Sequence, residues 1–192
     1  MPSPALTMSH ISCTRSGRSI FAPVSFSLAA GGVVILRGEN GSGKSTLLRA
    51  LAGLIPSTIT PPPSTLYLGH ANALHPSMNA DEHLDFWRAL YGGNATTDEF
   101  ILETLGLTHQ RDKLAAQLSN GQKRRLSFGR LLLQQADCWL LDEPQAALDK
   151  AALDMLVKLI ADHTAKGGMA IIASHDELPI QSAEIIELRA AA

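Results

Sequence analysis

Residues 38–45 read GENGSGKS, three glycines set around small polar residues and followed by a lysine and a serine. The spacing G-x-x-x-x-G-K-[ST] suits a loop that holds a phosphate chain. Gly38, Gly41 and Gly43 put no side chain in the way. Backbone N–H groups from Glu39 and Asn40 through Ser42 to Ser45 and Thr46 can then curl around the oxygens, at the positive end of the helix that follows. Lys44 is placed to reach the β- and γ-phosphates, and Ser45 to offer its hydroxyl to Mg²⁺. The chemistry this implies is that of a nucleotide hydrolase working with Mg²⁺.

A second group of reactive side chains ends the segment CWLLDEP at 138–144. Asp142 is expected to bind Mg²⁺, directly or through its waters, and Glu143 to polarise the attacking water. A third motif, LSNGQ at 118–122, precedes a helical run. Ser119 and Gln122 have capping-box spacing, and Gly121 with the helix dipole could hold a second anion. Ala147-Leu148-Asp149 follows the acidic strand closely. His175, in ASHDE, closes the next apolar segment. A histidine at a strand end is more often structural, but the topology of an α/β core would bring this one near the same phosphate.

These residues need a scaffold. VVIL at 33–36 reads as a buried strand leading into the glycine loop, and STLLRALAGL at 45–54 as the helix after it. VSFSL at 24–28 belongs to a β-rich opening over residues 5–37. The prolines at 61–63 make 55–65 a loop, and LYLG at 66–69 a strand. Residues 79–135 turn helical, including one long segment after Ser119. AALDMLVKLIADHTAK at 151–166 is an amphipathic helix stopped by Gly167-Gly168. MAIIASH at 169–175 and AEIIELR at 183–189 are strands. The fold class expected is α/β, with a helical insertion in the middle.

Composition sets bounds. With 192 residues, 45% apolar, the chain can bury a sizeable core. A net charge of −2 argues against a nucleic-acid partner. Two cysteines, without a C-x-x-C pair, support neither a disulfide framework nor a zinc site, and fit a reducing setting. No signal peptide is expected at the N-terminus, and no stretch approaches the ~18 apolar residues needed to cross a bilayer. His70, His75 and His83 lack metal-ligand spacing and are expected to be solvated. The basic run Lys123-Arg124-Arg125 reads as a solvated face or a phosphate-side charge, and only secondarily as a partner patch. The aromatic stretch at 85–93, with Phe86 and Trp87, reads equally as core or as a docking surface.

Taken in order, these motifs resemble those of the ATP-binding subunits of ABC transporters. GENGSGKS matches Walker A, LSNGQ is one residue from the LSGGQ signature, CWLLDE matches Walker B, AALD the D-loop with Asp149, and His175 the switch histidine. The resemblance covers essentially the whole chain, 1–192. It implies a P-loop NTPase fold of the ABC type: a RecA-like core, a β-rich N-terminal part and a small helical subdomain over about 71–130. It also implies a head-to-tail dimer in which Ser119, Asn120, Gly121 and Gln122 act on the partner's ATP, with His175 contacting the phosphate from the Walker A side.

Two positions depart from that family. The aromatic residue expected to stack on adenine falls at Arg15, whose guanidinium plane could serve instead, with Phe21 a weaker candidate. The glutamine expected after the LYLG strand is His70, which could hydrogen-bond toward the metal's waters or the γ-phosphate. YLGH, the QKRR run after the signature and GGMAIIASH together resemble the ATP-binding subunit of the cytochrome c maturation system, often called the haem exporter. That resemblance implies an integral membrane ABC partner and a peripheral place on the cytoplasmic face of the inner membrane. It leaves open another ABC exporter, or a soluble non-transport ABC ATPase. The single cassette, the −2 charge and the lack of a heptad run disfavour the soluble reading.

Overall fold

The computed structural model describes residues 6–15, 18–57, 59, 62, 64–92 and 94–191, with the side chains of Arg15 and Arg18 outside that description. Two compact units divide the chain. The first comprises residues 1–70, 136–144 and 159–192, and the second 71–135 and 145–158.

The first unit is built on five parallel strands: β5 (Val33–Arg37), β6 (Thr65–Leu68), β7 (Cys138–Asp142), β8 (Met169–Ala173) and β9 (Glu184–Glu187). Their order is β6-β7-β8-β5-β9. The three central strands carry uninterrupted apolar runs, as strands covered on both faces must. Val34, Leu36, Leu140, Ile171 and Ala173 are fully buried. The edge strand β9 is mostly exposed. Helix α1 (Lys44–Leu51) follows β5 and buries Leu47, Leu48, Ala50 and Leu51 in the same core. Ahead of the sheet, β1 (Leu6–Ile11) pairs antiparallel with β4 (Val24–Leu28), and the short β2 (Thr14–Arg15) with β3 (Arg18–Ser19). Period-two alternation turns Phe26 and Leu28 inward, while an irregularity in β1 between Met8 and Ile11, with His10 at φ +49°, brings both of those inward.

The second unit is helical. Helix α2 (Ala80–Tyr91) starts at Asn79, whose side chain and that of Glu82 form a reciprocal capping box, and stops at Gly92. Helix α3 (Asp98–Thr104) is capped by Thr97. After two 3₁₀ turns come α4 (Asn120–Ser127) and α5 (Gly129–Leu133). The single long helix expected after Ser119 is thus broken at Phe128. Ser127 Oγ donates back to the Arg124 carbonyl at 2.7 Å, and the Phe128 N–H bonds Arg125 O in place of a carbonyl four residues back. Gly129 lets α5 approach α2 closely: a Cβ there would lie 2.9 Å from Leu84 Cδ2. Helix α6 (Lys150–Ala165) leads from the second unit into the first, and turns at Gly167 with φ +88°. Among the described residues no helix is long and apolar enough to cross a membrane.

Candidate active site

The chemistry-bearing residues of the first unit gather at the carboxyl ends of β5, β7 and β8, where open parallel sheets bind ligands. The glycine loop leaves β5 at Gly38, with φ +143°. A Cβ at Gly38 would stand 2.2 Å from Leu188 O, and one at Gly43 (φ +98°) 2.7 Å from Phe21 Cδ1. Both positions therefore demand glycine for space as well as conformation. Lys44 is buried, and its Nζ donates to Gly38 O at 2.7 Å and Glu39 O at 3.0 Å, spanning the mouth of the loop. Ser42 Oγ is buried with no hydrogen-bond partner among the described residues. A buried donor in a ring of loop amides suits an anion.

Asp142 is 1% exposed at the end of β7. Ser45 Oγ donates to its Oδ1 at 2.9 Å, and Tyr67 Oη to its Oδ2 at 3.1 Å. Arg49 Nε in turn donates to Tyr67 Oη at 3.4 Å. Burial pushes the Tyr67 phenol above its ordinary pKa, against the lowering effect of Arg49, so it stays a protonated donor. One hydroxyl and one carboxylate form an all-oxygen donor set, which fits Mg²⁺. Among the described residues no group of three or more His, Cys, Asp or Glu could hold a metal.

Glu143 adopts φ +48°, a conformation rare for a residue with a side chain. Its N–H donates to Ala173 O at 2.9 Å, which ties the turn to the end of β8. Its Oε2 lies 2.8 Å from His175 Nδ1, and His175 Nε2 lies 3.4 Å from Asp176 Oδ2. An acidic residue oriented by an imidazole is an arrangement that can accept a proton from water. Backbone strain of this kind clusters at functional sites.

In the second unit Ser119 caps α4. Its Oγ accepts from the Gln122 N–H at 3.2 Å, and Gln122 Oε1 accepts from the Ser119 N–H at 2.9 Å. Asn120, exposed, and Gly121, half-buried, form the first turn. A Cβ at Gly121 would meet Ala147 O at 2.9 Å, so only glycine lets the segment after Walker B pack here. Asp149 caps α6, accepting from the Ala152 N–H at 2.8 Å.

Several sequence expectations need correction. Phe21 is fully buried beneath Gly43 and cannot stack on a base. The Arg15 side chain lies outside the described residues. His70 is exposed just beyond β6. His83 is core rather than solvated: it is 2% exposed, Nε2 accepts from the His75 N–H at 2.9 Å, and Nδ1 donates to Asn79 O at 2.7 Å. This pairing selects the neutral ring, and burial pushes its pKa down. Two residues of the basic run, Arg124 and Arg125, are engaged within the unit rather than solvated. Arg124 is buried, 3.3 Å from Asn72 Oδ1 and over the Phe128 ring, and Arg125 Nη1 donates to the carbonyls of Leu105 and Gly106 after α3. The aromatic stretch divides: Trp87 is core, while Phe86 is exposed together with Leu90 and Phe100. Tyr67 was not anticipated at all, because a tyrosine in a strand signals only β-propensity.

Residues 21–146 match the family model described as ABC transporter. The chain is 42% identical over 188 residues to the "Cytochrome c biogenesis ATP-binding export protein CcmA" of Bradyrhizobium diazoefficiens, covering 92% of this chain and 94% of the relative. It is 39% identical to the protein of the same name from Cereibacter sphaeroides, covering 95% and 88%. A solved structure, a putative ABC transporter ATP-binding protein from Pyrococcus furiosus, shares the fold with a TM-score of 0.84 at 22% identity, over 98% of this chain and all of that one.

Proposed function

The chain belongs to the ABC transporter family, and within it to the cytochrome c biogenesis ATP-binding export proteins; on that premise we propose how it works as the ATP-hydrolysing subunit of a haem-export or haem-chaperone-release complex. The observation that carries the reading is the convergence of Lys44, Ser45, Asp142, Glu143 and His175 at one end of one parallel sheet.

Lys44 leaves its loop carbonyls for the β- and γ-phosphates, while the amides of residues 39–46 and the Ser42 hydroxyl take the remaining oxygens. Ser45 and Asp142 hold Mg²⁺, which when bound neutralises charge developing on the phosphates. Glu143 takes a proton from the attacking water, and His175 holds its carboxylate in place. His70 hydrogen-bonds to the edge of this site, and the Arg15 plane lies against adenine. Two copies pair so that Ser119, Asn120, Gly121 and Gln122 of one close over the γ-phosphate held by the other, with Asp149 in the adjoining loop. Exposed Phe86, Leu90 and Phe100 dock on an integral membrane partner, which keeps the subunit on the cytoplasmic face of the inner membrane.

The test is complementation of a strain that lacks the gene and any duplicate system, reading covalently attached haem in c-type cytochromes. The wild-type gene restores it and the Glu143→Gln gene does not. In the Glu143→Gln strain haem-loaded chaperone accumulates. Normal holocytochrome levels without the gene contradict the haem role and leave the ATPase reading standing.

A further inference from the structure

Asp142 is gripped at both oxygens, and the two grips come from different elements. Ser45, at the start of α1, holds Oδ1, and Tyr67, in β6, holds Oδ2. The phenol is backed by Arg49, one helical turn beyond Ser45 on α1. The strand makes room for it too. Gly69 follows two residues after Tyr67, and a Cβ there would lie 3.1 Å from Tyr67 Cε1 and 3.2 Å from its hydroxyl. Any larger residue at 69 would push the hydroxyl aside by a few tenths of an ångström. The ring also packs against the core cluster that contains Leu47, Leu48 and Leu51, which limits its swing.

We infer that Tyr67 is a positioning residue for metal-bound nucleotide: it fixes the plane of the Asp142 carboxylate so that the carboxylate and the Ser45 hydroxyl face one cation, with Arg49 and Gly69 holding the phenol in place. The physical reason is rotational. A carboxylate held at one oxygen turns freely about its last bond, whereas one held at both presents a fixed lone pair. This inference rests on the reading that Ser45 and Asp142 bind Mg²⁺. It adds a residue that touches neither metal nor nucleotide, and it ties β6, the strand leading to His70, to the metal.

The experiment is equilibrium binding of a fluorescent ATP analogue to the full chain, with Mg²⁺ titrated in and with EDTA. In Tyr67→Phe the Mg²⁺ concentration that half-completes tightening rises about tenfold, the scale seen when a group orienting a metal's ligand is removed. Affinity in EDTA stays within about twofold of wild type, because the phosphate loop is untouched. Gly69→Ala and Arg49→Met shift the Mg²⁺ dependence in the same direction by a smaller factor. Arg49 is exposed, so its variant remains informative if Tyr67→Phe does not fold. Unchanged Mg²⁺ dependence in Tyr67→Phe and Arg49→Met, or equal weakening with and without Mg²⁺, overturns the inference. A wild-type protein whose nucleotide binding ignores Mg²⁺ overturns the underlying metal assignment instead.

Discussion

Glu143→Gln isolates the proton-accepting step from everything else in the site. The side chain sits at φ +48°, anchored through its N–H to Ala173 O and through Oε2 to His175 Nδ1 at 2.8 Å. Glutamine has the same shape, and its amide oxygen can still accept from the imidazole. What disappears is the base. General-base catalysis typically contributes about 10²–10⁴-fold, so turnover falls by that factor, equivalent to roughly 3–5 kcal/mol of barrier. The dissociation constant for ATP changes less than about twofold, because no loop amide and no cation reaching the phosphates is removed. Lys44→Ala behaves oppositely: it deletes the ammonium aimed at the phosphates, and binding itself weakens. Single-turnover hydrolysis and nucleotide binding, measured on both variants, separate the two effects. Turnover in Glu143→Gln within about fivefold of wild type, or equal loss of affinity in both variants, refutes these assignments.

The helical unit makes two further predictions. Trp87→Ala empties a core position 2% exposed and destabilises the fold by about 3–5 kcal/mol in chemical denaturation, whereas Phe86→Asp, at an exposed site, costs under about 0.5 kcal/mol yet releases the protein from membranes that contain its partner. Equal stability losses would show that the two aromatics do not divide as core and surface. The buried neutral His83 has a folded pKa below its unfolded 6.5, so the unfolded chain takes up the proton first. Stability is fully present above pH 6.5 and is lost as pH falls from there toward the folded value. His163 adds to the same trend, with its pKa lowered by burial. His83→Gln flattens the slope in urea titrations between pH 7 and 5. A slope as steep as wild type's contradicts this account of His83.

The elements that position the phosphate site were legible because their physics is local. VVIL, CWLLD and MAIIA are strands buried on both faces, and such strands leave unbroken apolar runs. The glycine loop and the capping box at Ser119 are written in adjacent residues. What escaped depends on distant partners. Tyr67 and Asp142 are 75 positions apart, and nothing near LYLG announces a carboxylate receiver. The positive φ of Glu143 is imposed by the junction of β7 with the end of β8 and has no sequence signal of its own. The burial of His83 did have one. Ala80, His83, Leu84 and Trp87 recur at i, i+3, i+4 and i+7, a buried helical stripe that reading the histidine by residue type overlooked. Arg124 gave no such sign, since its buried guanidinium depends on Asn72, 52 positions away, besides the Phe128 ring at the end of its own helix.

The central claim is that ATP turns over at a site made from the Walker residues of one copy and the signature of another. Ser119→Arg and Lys44→Ala chains, reconstituted separately and together with the membrane partner, test it. Each alone is inactive. In a mixed pair, one site joins an intact loop to an intact signature and the other has both halves damaged. Random pairing of equal amounts puts about half the dimers in the mixed class, so about a quarter of wild-type turnover returns if the sites act independently. Activity that appears only on mixing is the predicted result. Full turnover by Ser119→Arg chains alone would contradict the account.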